Sequence, residues 1–210
     1  MSAVPRLPRD PGTSRFHIKG LAYRALKQVV AHVPGGLEAF AGTLDDARLR
    51  GFLDQPFLAA SRYDILPMLP LSAALARRAG KPLQVYATQQ GAAQARHDVE
   101  RVYRRSFEIM KVEDPVRSMN RFEMLYYDFG DCSGEVLGPG HVVQRRSGLP
   151  EYLLPWFAPM HAAYVEELFR MKGVAHVETA CRPATPAGTR HGLKVVDLDT
   201  DIRWRPRKGT

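Results

Sequence analysis

Only two cysteines, Cys132 and Cys181, occur among the 210 residues. That excludes a disulfide framework and a zinc centre built from thiolates, and it leaves open whether the two thiols approach one another. No apolar run approaches the ~18 residues that span a bilayer, and Met1-Ser-Ala-Val-Pro-Arg lacks the apolar stretch of a secretory signal. The expectation is a cytoplasmic protein without a transmembrane segment. Catalytic fingerprints are missing too: there is no Gly-x-Ser-x-Gly elbow, no Gly-rich phosphate loop before a helix, and no pair of histidines one helical turn apart. Gly130-Asp-Cys-Ser-Gly134 reads as a polar turn. No catalytic residue, metal ligand or cofactor is assigned, and the balance leans away from an enzyme.

What is present is 45% hydrophobic and 25% charged residues, an ordinary globular composition, with a formal charge of +8. The excess sits at the ends. Arg6, Arg9 and Arg15 outweigh Asp10 in the first fifteen residues, and Arg203, Arg205, Arg207 and Lys208 crowd the last eight, leaving the body only about +2. A nucleic-acid-reading fold concentrates basic residues on one ordered face, so nucleic acid is not the expected partner. Solvated tails are the simpler reading. Residues 1–14 read as a disordered basic arm, 15–205 as a single α+β domain and 206–210 as a basic tail.

Periodicity orders the rest. A short strand at Phe16–Gly20 precedes a helix over Leu21–Val33, stopped by Pro34-Gly35-Gly36. Short helices are expected within Leu37–Leu53 and over Ile65–Ala79. From Leu83 to Lys111 the spacing predicts an amphipathic helix, with Ala92, Ala95, Val99 and Val102 near one face and a ladder of Arg96, Glu100, Arg104 and Glu108 on another. Gly91 in this helix signals a break or close packing, and Asp114-Pro115 a further turn. Phe122–Phe129 and His141–Gln144 read as strands across the Gly-rich Gly130–Gly140 connection. Val174–Arg182 and His191–Trp204 read as two more, joined by Pro183–Gly188. In the last, Val196, Leu198, Thr200, Ile202 and Trp204 share one face, while Asp197, Asp199, Asp201 and Arg203 share the other. The three acids resemble the start of a calcium loop, but Ile202 stands where that loop needs glycine, so they read as the wet side of a strand.

Between the hairpins lies the apolar segment Glu151–Lys172, expected to be a buried helix with an inward stripe of Leu153, Leu154, Phe157, His161, Tyr164, Leu168 and Met171. Pro155 and Pro159 mark its start or a bend. A histidine in such a stripe has three fates: a core residue satisfied by a hydrogen bond, part of a small-ligand pocket, or a haem ligand. The fold class predicted is α+β, with several N-terminal helices packed on a small antiparallel sheet and one long buried helix between two hairpins.

Phe16–Leu21, Asn120-Arg-Phe122, Gly148-Leu-Pro-Glu-Tyr-Leu153 and Met171-Lys-Gly173-Val resemble an uncharacterised myxobacterial paralogous family of about 200 residues, over residues 16–205. That resemblance implies a stand-alone α+β domain from a lineage rich in signalling. More distantly, the order of helices, hairpin, long helix and final hairpin with Cys181 is similar to the ligand-binding fold of V4R domains, haem nitric-oxide-binding domains and Bet3-like subunits. The Tyr-x-Ser-x-Arg haem-propionate signature of the nitric-oxide sensors is absent from this sequence. The resemblance implies an apolar pocket lined by Phe157, His161, Tyr164 and Cys181, an apolar small-molecule ligand and a homodimer; an unidentified protein partner is expected besides. The function expected is a non-enzymatic sensor or regulatory domain, with a ligand-free interaction scaffold as the alternative.

Overall fold

The computed structural model describes residues 4–102, 104–108, 120 and 123–205. The chain has an α+β fold whose contacts group it into two compact units, Met1–Leu83 with Tyr126–Phe129, and Gln84–Leu125 with Gly130–Thr210.

In the first unit, β1 (His17–Lys19) pairs antiparallel with β2 (Arg62–Asp64), and α1 (Gly20–Ala31), α2 (Gly36–Gly42), α3 (Ala47–Asp54) and α4 (Met68–Arg78) supply the helices. Pro67 caps α4 and Pro70 lies in its first turn, where the missing N–H has no intrahelical partner to lose. An aromatic cluster fills the unit: Tyr23 stacks on Phe57 at 4.6 Å between ring centroids and meets Phe52 edge-on at 5.3 Å. Residues 7–14, whose composition reads as a loose arm, have fixed partners. Leu7 is buried, and the Asp64 carboxylate accepts the backbone N–H groups of Gly12 and Ser14 at 3.0 and 3.2 Å. Nothing local marks Asp64 as an anchor for residues 50 positions away.

In the second unit, α5 (Leu83–His97) runs into a π-helical turn (Asp98–Val102) and then α6 (Arg104–Glu108). The long helix α7 (Leu154–Met171) follows a 3-10 turn at Glu151–Leu153, with Pro155 in its first turn and Pro159 inside it. The five-stranded antiparallel sheet has the order β3 (Cys132–Gly138), β4 (His141–Pro150), β7 (Leu193–Arg203), β5 (Glu178–Cys181). The fifth strand, β6 (Thr185–Arg190), continues along the β7 edge beyond β5. Val165, Leu168 and Phe169 of α7 pack with Ile202 of β7 and with Ala95 and Val99.

Three sequence expectations change. Residues 123–126 are helical, not extended, and among the described residues of the expected strand Phe122–Phe129 only Tyr127 makes a β-bridge, to Ile18. Aromatic richness there reflects burial, since Phe129 packs edge-on to Phe16 at 5.3 Å. Strands β3 and β6 fall in segments read as connections. Both are exposed along most of their length, so neither shows hydrophobic alternation, and Pro186 is tolerated because β6 pairs on one side only. The solvent ladder expected on the long helix is partly cross-linked: Arg104 meets Glu108 at 3.2 Å, whereas Arg96 reaches Glu167 of α7 at 2.8 Å. The Asp114-Pro115 turn and the 206–210 tail lie outside the described residues.

Candidate ligand-binding site

Alternation along β4 decides which of its side chains face inward. Val142, Gln144 and Arg146 share one face and are buried, while on the other face Arg145 is exposed and Val143 is just buried. On α7, Phe157 and His161 are one turn apart and project from the same face. Their rings stack with centroids 5.3 Å apart and planes at 12°. The third contribution is Glu123, from the helical residues 123–126. Gly148 at φ 65° sits where the register of β4 on β7 shifts, and its N–H donates to Asp197 at 3.1 Å.

These residues meet in a buried charged network. Arg146 Nη1 donates to Glu123 Oε2 at 2.5 Å, and His161 Nδ1 lies 3.0 Å from Glu123 Oε1. His161 Nε2 lies 3.2 Å from Gln144 Oε1, and Gln144 Nε2 donates to Cys132 Sγ at 2.9 Å. The Arg146 guanidinium also lies over the Phe157 ring at 5.8 Å. With the Gln144 amide oriented this way, both His161 nitrogens face oxygen acceptors, which only the doubly protonated ring satisfies; the reversed amide suits a neutral ring. Arg146 and Glu123 are 3% and 8% exposed, so each would be costly to bury alone. Burial pushes the Glu123 carboxyl up, but Arg146 and then His161 outweigh it and hold the group below the usual carboxylate range. Burial and the Glu123 charge push the Cys132 thiol up to about 12.

Of the four residues expected to line a pocket, the structure brings Phe157 and His161 together. Tyr164 donates its hydroxyl to Asp98 Oδ2 at 3.0 Å, packing beside the Ala95 and Val99 core. Cys181 lies elsewhere, donating to Ala158 O at 3.5 Å from the wall of an open groove of about 560 Å³. Leu154, Ala158, Ala162 and Leu198 give that groove an apolar floor, and Arg182 and Glu166 stand among its polar lining. Burial raises the Cys181 pKa, so it too is held as a thiol. Sequence reasoning missed Glu123, Gln144 and Arg146. A glutamine and an arginine two residues apart in register with inward-facing Val142 were the available signal; nothing local marked Glu123.

No family model matches the sequence, and no curated protein is similar to it. Solved structures are similar in fold. A mutant H-NOX domain of T. tengcongensis superposes with a TM-score of 0.62 at 10% identity, covering 90% of this chain and all, 100%, of that one. The fold is that of the H-NOX domains. An H-NOX structure determined to probe haem distortion gives 0.60 at 10% identity, covering 91% of this chain and 95% of that one. An oxygen-binding H-NOX domain related to soluble guanylate cyclases, in its oxygen complex, gives 0.59 at 10% identity over 91% and 95%. On this H-NOX framework α7, β4 and β7 carry both the buried network and the Cys181 groove.

Proposed function

We propose that the chain is a non-enzymatic regulatory domain that uses the H-NOX framework to bind a small molecule without haem. The observation that carries this reading is the state of His161. Haem iron is most often held by a histidine ring nitrogen with no other partner or by a cysteine thiolate. All seven histidines lie among the described residues, and His161 alone is buried; both its nitrogens are engaged, by Glu123 and Gln144. Cys132 and Cys181 are held as thiols. His161, Cys132 and Cys181 as placed do not fit haem, and no step is routed through it. Thiols with raised pKa are also poor nucleophiles, which supports binding over catalysis.

The groove beside Cys181 suits an apolar molecule with one polar end, its body on Ala158, Ala162 and Leu198 and its end toward Arg182. The alternative, a ligand-free scaffold, is favoured by Val136 and Leu137, which are 61% and 48% exposed on the edge strand β3. Native and denaturing mass spectrometry of the purified protein separates the two. A mass lost on denaturation is expected; bare-chain masses in both conditions would transfer the assignment to the scaffold. Added haemin is expected to leave the free-haemin absorbance unchanged, and a sharpened Soret band abolished in H161A would overturn the haem-free part.

A further inference from the structure

We infer that the tip of the β3–β4 hairpin and the start of the basic C-terminal run form one surface that docks on an anionic lipid bilayer. The surface shares no residue with the groove beside Cys181 and does not depend on it.

Val136 and Leu137, at the end of β3, are 61% and 48% exposed. Strand register brings a cationic stretch beside them. Val136 lies opposite Val142, Val142 lies opposite Ile202, and Arg203 is the next residue along β7. At ~4.8 Å per strand, the apolar tip and Arg203 stand on the order of 10 Å apart. The backbone N–H of Trp204 donates to Gly140 O at 2.8 Å, which ties the end of β7 to the hairpin turn. Val136 and Arg203 are 67 positions apart in the sequence, so only the sheet joins them.

The positive charge there is not neutralised within the fold. Arg203 is 64% exposed and reaches only Asp201, at 4.0 Å, an acid that Arg182 and His141 already hold at 2.5 and 2.8 Å. Arg205 is exposed and has no carboxylate partner among the described residues. Arg207 and Lys208 follow in the sequence, and Glu135 and Glu178 are the acids paired into this end of the sheet, so the stretch carries four cations against two acids.

Exposed aliphatic side chains flanked by uncompensated cations match the boundary of an anionic bilayer: the tip enters the headgroup region and the cations meet the phosphates. Trp204, half-buried against Phe169 with ring centroids 5.3 Å apart, adds an amphipathic ring of the kind that settles at such a boundary. A nucleic acid would use the cations but leave Val136 and Leu137 without a role. No helix among the described residues is long and apolar enough to cross a membrane, so the contact is peripheral.

Co-sedimentation of the full chain with vesicles tests this, using phosphatidylcholine alone and an equimolar mixture with phosphatidylglycerol. Wild type is expected to bind the mixed vesicles and not the neutral ones. V136S/L137S and R203Q/R205Q are each expected to bind the mixed vesicles about tenfold more weakly or worse. All four side chains are exposed, so both variants spare the core. R207Q/K208Q, which leaves the strands untouched, serves as a second charge variant and is expected to weaken binding too. No binding to the mixed vesicles, or binding that V136S/L137S or both charge variants leave unchanged, would overturn the proposal. A duplex DNA oligonucleotide bound more tightly than the vesicles, and equally by wild type and V136S/L137S, would assign the surface to nucleic acid. A dimer in native mass spectrometry that V136S/L137S dissociates would assign it to a second copy of the chain. Either result would overturn the proposal as well.

Discussion

Gly91 of α5 lies against the backbone carbonyl of Met160 in α7, so closely that a β-carbon at Gly91 would stand 2.0 Å from that oxygen. Two helices of the second unit thus approach backbone to backbone. Gly91→Ala is expected to destabilise by about 1–3 kcal/mol, since the obstacle is main chain and cannot rotate away. At Gly51, inside α3, an added β-carbon would meet nothing within 4 Å. Gly51→Ala is therefore expected to stabilise by about 0.5–1 kcal/mol. Urea unfolding midpoints of the two variants should move in opposite directions.

The Glu123–Arg146 pair gives the second prediction. Arg146→Met leaves the buried Glu123 carboxylate with His161 as its remaining partner among the described residues and should cost about 3–5 kcal/mol. Replacing both partners, as Arg146→Met with Glu123→Leu, should recover most of that loss, because apolar groups of similar volume need no compensating charge. A double-mutant cycle by chemical denaturation reads the coupling directly.

Asp64 makes the third. Its carboxylate accepts from Gly12 at 3.0 Å, Ser14 at 3.2 Å and Leu66 at 2.9 Å. Asp64→Ala strands these amides, at about 1–3 kcal/mol for each that stays buried. Hydrogen exchange should quicken at residues 12–14 before it does in α4.

Acid stability provides the fourth. On the outer face of the sheet, Asp199 pairs with Arg145 at 2.7 Å, and Asp201 pairs with Arg182 at 2.5 Å and His141 at 2.8 Å. The hydrogen bond from Arg145 depresses the Asp199 carboxyl pKa, and those from Arg182 and then His141 depress that of Asp201. A depressed carboxyl stabilises the fold above its unfolded pKa of about 4 and loses that contribution as pH falls through the folded value. Melting temperature should therefore hold above about pH 5 and fall below about pH 4, with a shallower fall in Asp199→Asn/Asp201→Asn. Burial raises the Asp64 pKa, which works in the opposite direction, and Glu123 works in the same direction as the pair. The comparison with the double variant isolates the surface ladder.

That ladder also shows how far the sequence could be read. The two faces of β7 follow from alternation alone: Val196, Leu198, Thr200 and Ile202 are buried, and Asp197, Asp199 and Asp201 are half-buried on the other side. Their cationic partners were not legible, because Arg145 and Arg182 reach them only through strand register. The helix Leu154–Met171 and its inward His161 were likewise legible from the apolar stripe. Whether His161 served the core or a ligand was not, because that depends on what faces its two nitrogens.

Local sequence determined the elements with a strong period: the helices α1, α4, α5 and α7, the strand β7, the first four residues of β4, and the α+β class they compose; the π-helical turn that separates α5 from α6 and the extension of β4 to Pro150 were not legible. Those signals are carried by neighbours three, four or two residues apart. Only the tertiary structure decided the exposed strands β3 and β6, which have no apolar face to betray them, and the network of Glu123, Arg146, Gln144 and His161. Glu123 and Arg146 are 23 positions apart, and Glu123 and His161 are 38. Burial converts such residues from ordinary surface charges into a site, and burial is a property of the folded chain.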